Sequence, residues 1–361
     1  MIKVDLITGF LGSGKTTFIK KYVRYLLDKG EKIGIIENDY GAINVDMLLL
    51  HEEFGDECGM EMVVAADADC HRRRFKTKLI AMGMDAANEG KYDRIIVEPS
   101  GIYDVDEFFD ILYEEPLDRF YEIGNVIAIV DAGLPGELSK ESDYLLTSQI
   151  AEAGVVVFSK LGMDAGVKGD GLSKEINDVE KVIVHMNHAL DKFKCKRRYA
   201  TNGDDVVAKD WENLTTDDFE RIENSGYVPE DHIKMRVAED NGYKSLFFYH
   251  AKMSEEELKD MAAKLFADSG YGNIYRVKGF VPAGEEVSCD KPSDTCGNYI
   301  QINATRENVE ITYTDKGQEV IIVIGENLDY ERIEECICHY SNDKNITSGQ
   351  SNHNHGGGSG K

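Results

Sequence analysis

Short runs of apolar residues punctuate the first half of the chain, and after most of them hydrophobic positions return every three to four residues. Val4, Leu6 and Ile7 make the first run; Phe18, Ile19, Tyr22, Val23, Leu26 and Leu27 then share one side of a helix that Asp28-Lys29-Gly30 ends. Further runs lie at 32–36, 61–65, 94–97, 126–130 and 155–158, with helical spacing over 75–84 and 104–113 and in a helix closing at 148–153. Runs with no polar alternate predict strands buried on both faces, and strands alternating with helices predict a mainly parallel α/β sheet. Residues 163–230 read as helical and polar, with loop signals at 166–171 and 201–205.

From about His232 the pattern changes. Strand-like runs at 246–250, 272–281, 299–303, 308–314 and 320–325 follow one another with a single helix among them. Ser254 as N-cap with Glu257 three residues on opens that helix, which runs to Ala267, and a last helix spans Asp329 to Tyr340. This predicts a smaller α+β domain at 229–340 behind an α/β domain at 1–228. Residues 341–361 are polar and glycine-rich and are expected to be disordered; their end, G-G-G-S-G-K, has the composition of an artificial linker, so His353 and His355 carry little weight.

Composition narrows the partners. The 41 basic and 67 acidic residues give a net charge of −26, which repels nucleic acid and anionic membrane surfaces. The two basic runs, Arg72-Arg73-Arg74 with Lys76 and Lys78, and Lys194 to Arg198, are short and read as solvated faces or anion contacts. No apolar run nears the roughly 18 to 20 residues of a membrane span, and Met1 leads directly into a strand, so the expected compartment is the cytoplasm. Seven widely spread cysteines read as reduced thiols. His185 and His188 lie three apart on a helix and read as solvent-facing, with no third ligand evident. Cys336 and His339 would share a helix face, which suits either transient metal binding or partly buried thiols.

The chemistry begins at T-G-F-L-G-S-G-K-T-T-F, Thr8 to Phe18. Gly9, Gly14, Lys15 and Thr16 fit the phosphate-loop spacing, with a strand before and a helix after. Glycines let backbone N–H groups turn inward around anionic oxygens, and the helix start adds partial positive charge. Lys15 can reach the outer phosphates and the Thr16 hydroxyl can hold Mg²⁺, so a nucleoside triphosphate site is expected. The next strand delivers Glu37-Asn38-Asp39 at its carboxyl end, either to meet Mg²⁺ or its waters or as an acidic turn. Glu98-Pro99-Ser100-Gly101 ends another strand: the acid orders Mg²⁺ water and the Gly101 N–H senses the terminal phosphate.

With these residues in view, the chain resembles the CobW/HypB/UreG group of phosphate-loop GTPases, the CobW branch in particular. The resemblance rests on I-T-G-F-L-G-S-G-K-T-T-F at 7–18, E-N-D-Y-G at 37–41 with Val45-Asp46, E-P-S-G at 98–101, V-D at 130–131 and S-Q-I-A-E-A at 148–153. R-V-K-G-F at 276–280 and I-G-E-N-L-D at 324–329 are similar to that branch's C-terminal domain. It implies GTP hydrolysis coupled to delivering a metal or metallocofactor into a client metalloprotein or corrinoid-type enzyme, with a homodimer as one assembly. By position, Gly12, Ser13, Gly14, Lys15, Thr16 and Thr17 would hold phosphates and Mg²⁺, Glu37 and Asp39 would lie near the metal centre, and Glu98 to Gly101 would be the second switch. A small-molecule kinase on the same loop, or a nucleotide-gated adaptor without turnover, are the alternatives.

Two departures stand out. The guanine-reading Asn-Lys-x-Asp of the group corresponds to Ser159-Lys160-Leu161-Gly162. Lys160 can still pack over the base, but the carboxylate for the guanine donors is gone, which costs about 1–3 kcal/mol unless Asp164 compensates. ATP use then becomes open beside GTP. The branch's Cys-x-Cys-Cys motif corresponds to Asp67-Ala68-Asp69-Cys70, followed by His71. Carboxylates in place of thiolates shift preference toward harder ions. Asp67, Asp69 and Cys70 thus read either as a site for a second divalent metal or as caps of the following helix.

Overall fold

The computed structural model describes residues 1–10, 13–38, 50–51, 53–55, 57–63, 68–99, 105–134, 136, 138–161, 171–235, 244–283, 297–306, 308–315, 317–341 and 347–350, with backbone alone at 38, 68–71, 171–178, 244–245 and 347–350. They fall into two compact units, one within Met1–Val237 and one from Ala238 onward.

The first unit runs β1 (Ile2–Gly9), α1 (Lys15–Asp28), β2 (Ile33–Asn38), β3 (Gly59–Val63), α2 (Ala68–Glu89), β4 (Arg94–Pro99), α3 (Val105–Leu112), β5 (Tyr121–Asp131), α4 (Lys140–Ala151), β6 (Val155–Ser159), α5 (Gly171–Lys192), β7 (Val206–Val207) and α6 (Thr216–Glu223). Its strands lie in the order β3-β2-β4-β1-β5-β6-β7, and every described pairing in the sheet is parallel. Helices cover both faces, which is why the strands are apolar without alternation. Leu6 belongs to the buried cluster that holds Phe75, Phe108, Ile150 and Met186, and its neighbour Ile7 to the separate cluster of Phe18, Tyr22 and Ile222. From β1 the chain runs to β2 on one side of the sheet and from β5 to β6 on the other, so the loop after β1 sits where the winding reverses and a crevice opens.

Three segments differ from the expectation. β5 begins at Tyr121, five residues before the apolar run, because Asp5 accepts hydrogen bonds from Asn125 N (2.8 Å) and Nδ2 (3.0 Å) and so satisfies a polar stretch inside the sheet. Within 163–230 lies a strand, β7, two residues long and therefore without a periodic signal. Residues just past 228 pack on the first unit: Ile233 N–H donates to the Phe193 carbonyl at 2.7 Å, and the His232 and Tyr144 rings stand 5.9 Å apart.

A buried charge network crosses the sheet. Asp5 Oδ2 accepts from Arg94 Nη1 (2.7 Å) and the Tyr22 hydroxyl (2.9 Å), while Arg94 also reaches Glu31 (2.8 Å) and Glu223 (3.3 Å). Burial pushes the Asp5 carboxyl above its usual range against the pull of Arg94 and the hydrogen bonds.

At α6, Thr215 and Asp218 form a capping box, and Lys209 Nζ donates to Asp218 at 2.6 Å. Burial works to raise the Asp218 pKa, but the bonds from Lys209 and Thr215 prevail and bring it down to about 2. A depressed folded pKa contributes stability that is present above the usual carboxylate value of about 4 and lost as pH falls toward 2. Asp218→Asn should therefore narrow the stability difference between about pH 7 and about pH 3 in urea melts, compared with the parent chain. Equal pH dependence in the two proteins would contradict the assignment.

The second unit is a sheet in the order β11-β10-β9-β12-β8-β13, built from β8 (Lys244–Tyr249), β9 (Asn273–Pro282), β10 (Tyr299–Ala304), β11 (Val309–Thr314), β12 (Val320–Glu326) and β13 (Thr347–Gln350), all pairings antiparallel. Helices α7 (Glu255–Ala267) and α8 (Tyr330–Tyr340) pack Leu258, Met261, Leu265, Ile333 and Ile337 against Phe248, Ile302 and Val323. Ser254 and Glu257 exchange both bonds of a capping box, as the sequence pattern anticipates. The stretch from 341 on, expected to be disordered, contributes β13, whose backbone pairs with β8 and needs no apolar side chains to do so.

Candidate functional site

Around the phosphate loop the backbone demands glycine at two positions. Gly9 closes β1 with φ 151°, and a Cβ there would stand 2.4 Å from the Ile129 carbonyl oxygen and 2.8 Å from Ser13 Oγ. Gly14 caps α1 in the left-handed region, φ 94° and ψ 21°. Ser13 is buried, and its Oγ has no hydrogen-bond partner among the described residues. Lys15, 8% exposed, curls back across the loop and donates from Nζ to the Gly9 carbonyl at 3.1 Å. Thr16 Oγ1 donates to Glu98 Oε1 at 2.9 Å, and both side chains are buried. Thr17 faces solvent from the first turn of α1.

The tips of the neighbouring strands converge on this loop. Glu37 on β2 stands in register with Glu98 on β4, so two carboxylates that are 2% and 5% exposed occupy adjacent parallel strand ends. At the tip of β6, Ser159 is buried and its Cβ lies 3.9 Å from where a Gly14 Cβ would stand. Lys160 takes the left-handed conformation, φ 57°, and its Nζ meets Asp131 Oδ2 of β5 at 2.5 Å. At the start of α3, directly after the Glu98 to Gly101 segment, the Val105 N–H donates to Ser148 Oγ of α4 at 3.2 Å, so S-Q-I-A-E-A supplies a helix-start partner.

The fold thus brings together Ser13, Gly14, Lys15, Thr16, Glu37, Glu98, Ser159 and Lys160. Gly12, Asp39, Asp67 and Gly101 lie outside the described residues. Asp69 and Cys70 are on the first turn of α2, where the backbone alone is described. Among the described residues no group of three or more His, Cys, Asp or Glu side chains forms a metal-binding cluster.

Other expectations are corrected. His185 is buried rather than solvent-facing: its Nδ1 is 2.9 Å from the Gly136 carbonyl and its Nε2 3.1 Å from Asp143 Oδ1, which ties α5 to α4; His188 is exposed. Cys336 points into the core of its unit and His339 into solvent, so they do not share a face. Burial raises the Cys336 thiol pKa. The basic runs are largely engaged in ion pairs: Lys76 with Glu114 (2.6 Å), Lys78 with Glu61 (2.5 Å), Arg197 with Asp205 (3.0 Å), and Arg72 also with Glu114. Reading by sequence missed Trp211, which packs on Gly14. It is the one tryptophan in the chain, but the helical reading of 163–230 gave no reason to bring it to the site.

Hydroxyl and carboxylate oxygens at Thr16 and Glu98 suit a hard cation such as Mg²⁺, and the buried, unmatched Ser13 hydroxyl inside a glycine-bounded turn suits an anionic oxygen. Parallel sheet, switch-point loop and strand-tip carboxylates together define a phosphate-loop nucleotide-binding fold.

The chain belongs to the CobW/HypB/UreG family, whose nucleotide-binding domain matches residues 3–186. It is 26% identical over 319 residues to zinc-regulated GTPase metalloprotein activator 1 of Dictyostelium discoideum, spanning 77% of this chain and 62% of that protein. It is 30% identical over 165 residues to the zinc chaperone YjiA of Escherichia coli, spanning 44% of this chain and 49% of that protein, and 25% identical over 191 residues to the zinc chaperone YeiR of the same organism, 52% and 56%. The chain therefore spans about half to three-fifths of these relatives' length. The crystal structure of Zn(II)-bound YjiA GTPase from E. coli aligns over 94% of this chain and 98% of that one, at 17% identity and a TM-score of 0.32. Among the described residues no helix is long and apolar enough to cross a membrane.

Proposed function

We propose that this chain hydrolyses GTP and couples its nucleotide state to handing a metal ion to a client protein. The observation that carries the reading is the buried Thr16–Glu98 pair beside the Lys15 loop, in a member of a family whose relatives are named as a zinc-regulated GTPase metalloprotein activator and as zinc chaperones. Gly12 to Thr17 receive the phosphates, and Ser159 and Lys160 border the base. Mg²⁺ held through Thr16 and Glu98 supplies charge neutralisation at the transferring phosphoryl group. Glu37 and Asp39 serve the same metal centre, and the 98–101 segment responds to the presence of the terminal phosphate. Asp67, Asp69 and Cys70 serve as ligands for the transferred ion, a mixed carboxylate–thiolate set that accepts a harder ion than an all-thiolate one. The client is a metalloprotein, with corrinoid-type enzymes included in that class.

Gly162 favours a second substrate. Without a carboxylate at that position the guanine donors lose a partner, worth about 1–3 kcal/mol, so ATP competes more closely with GTP.

Phosphate release from GTP and ATP, with Mg²⁺ and no added acceptor, tests hydrolysis; a requirement for an acceptor would favour a kinase. Glu98→Gln should lower turnover by about a hundredfold. Zinc and manganese affinities measured with a non-hydrolysable triphosphate analogue and again with diphosphate test the coupling. Equal affinities in the two states would remove it.

A further inference from the structure

Trp211 lies on a single 3-10 turn, Trp211–Asn213, shortly after β7. Its Nε1–H donates to the carbonyl of Phe158 at 2.8 Å, the residue before Ser159 on β6. The far edge of the indole faces the phosphate loop: a Cβ on Gly14 would stand 3.2 Å from the ring. The same ring meets Phe18 of α1 edge-on, with centroids 5.6 Å apart and planes at 62°. The turn is capped at its start by Asp210, which accepts from the Glu212 N–H at 3.1 Å, and Glu212 also pairs with Lys21 of α1 at 2.8 Å. One stiff side chain therefore touches the start of α1 and the tip of β6, the two elements that carry the phosphate side and the base side of the site.

We infer that Trp211 is a positioning residue for the nucleotide. Gly14 has no Cβ to limit its backbone, so the direction of the loop's N–H groups depends on what packs against it. The indole supplies that packing and holds the loop at a fixed spacing from Ser159 and Lys160. Its only donor is already used on Phe158, so it has nothing with which to read the edges of a base. The effect on affinity should then be the same for guanine and adenine nucleotides. This inference rests on the nucleotide-binding reading above.

Two measurements test it. The first uses the parent chain: emission from its one tryptophan should change when MgGTP or MgATP saturates the protein, with binding followed separately by calorimetry. The second uses Trp211→Leu, which keeps apolar filling but loses the ring and the N–H. It should raise the Kd for GTP and for ATP by the same factor, about tenfold, in protein shown to be folded by its far-ultraviolet spectrum and melting curve. Unchanged affinity in the folded variant, a loss confined to one base, or emission blind to bound nucleotide would each overturn the inference. A parent chain that binds neither nucleotide would instead sink the proposed function, and this inference with it.

Discussion

Lys15→Ala should raise the Kd for GTP and ATP by about ten- to a hundredfold, and lower turnover by about two to three orders of magnitude. The ammonium is buried in the loop with the Gly9 carbonyl 3.1 Å away, already desolvated and already placed beside the space the glycines enclose. A charge in that setting acts on phosphate oxygens far more strongly than one in water. Removing it also takes away charge stabilisation where negative charge gathers as the terminal phosphoryl departs. Calorimetry for binding and a phosphate-release assay for turnover check the two halves. A variant that binds and turns over both nucleotides as the parent does would end the nucleotide-site reading altogether.

The largest effect on stability is expected from Arg94→Met. Arg94 is 2% exposed and Asp5 fully buried, so deleting the guanidinium leaves a carboxylate inside the sheet without its countercharge. Breaking a buried pair from one side costs about 3–5 kcal/mol, whereas replacing both partners with apolar groups of similar volume costs far less. The double variant Asp5→Asn with Arg94→Met, which removes both charges and keeps an acceptor for the Asn125 donors, should recover much of the loss. The pH dependence follows from the direction of the Asp5 shift. A carboxyl whose folded pKa lies above its unfolded value contributes stability that is present below about pH 4 and lost as pH rises through the folded pKa. Without Arg94 that folded pKa rises further, so the deficit of the single variant should be larger at about pH 7 than at about pH 5. Urea melts at the two pH values measure it; a loss below about 1 kcal/mol at pH 7 would show that the network adds little.

Much of the site was legible because phosphate chemistry is local. A glycine-bounded turn followed by Lys15 and Thr16 depends on one strand, one turn and one helix start, and all three are written contiguously. Glu37 and Glu98 were legible as strand-end acids because the runs 33–36 and 95–97 that precede them are apolar. The capping box at Ser254 and Glu257 was legible for the same reason: both bonds form within one turn.

Tertiary structure decided everything that joins distant segments. The pairing of β2 with β4 sets Glu37 beside Glu98, and a register shifted by one residue would turn one of them to the other face of the sheet. His185 lost its solvent-facing place because Asp143, far away in sequence on α4, accepts its bond. Trp211 reached Gly14 only through β7, a strand too short to leave a period in the sequence. The sequence by itself determined a parallel phosphate-loop unit and where its glycines, Lys15, Thr16 and strand-end acids fall along the chain. Which buried polar groups face one another was fixed only by strand order and packing, because a desolvated donor or acceptor is stable wherever the fold brings it a partner, and nothing in its immediate neighbours says where that partner lies.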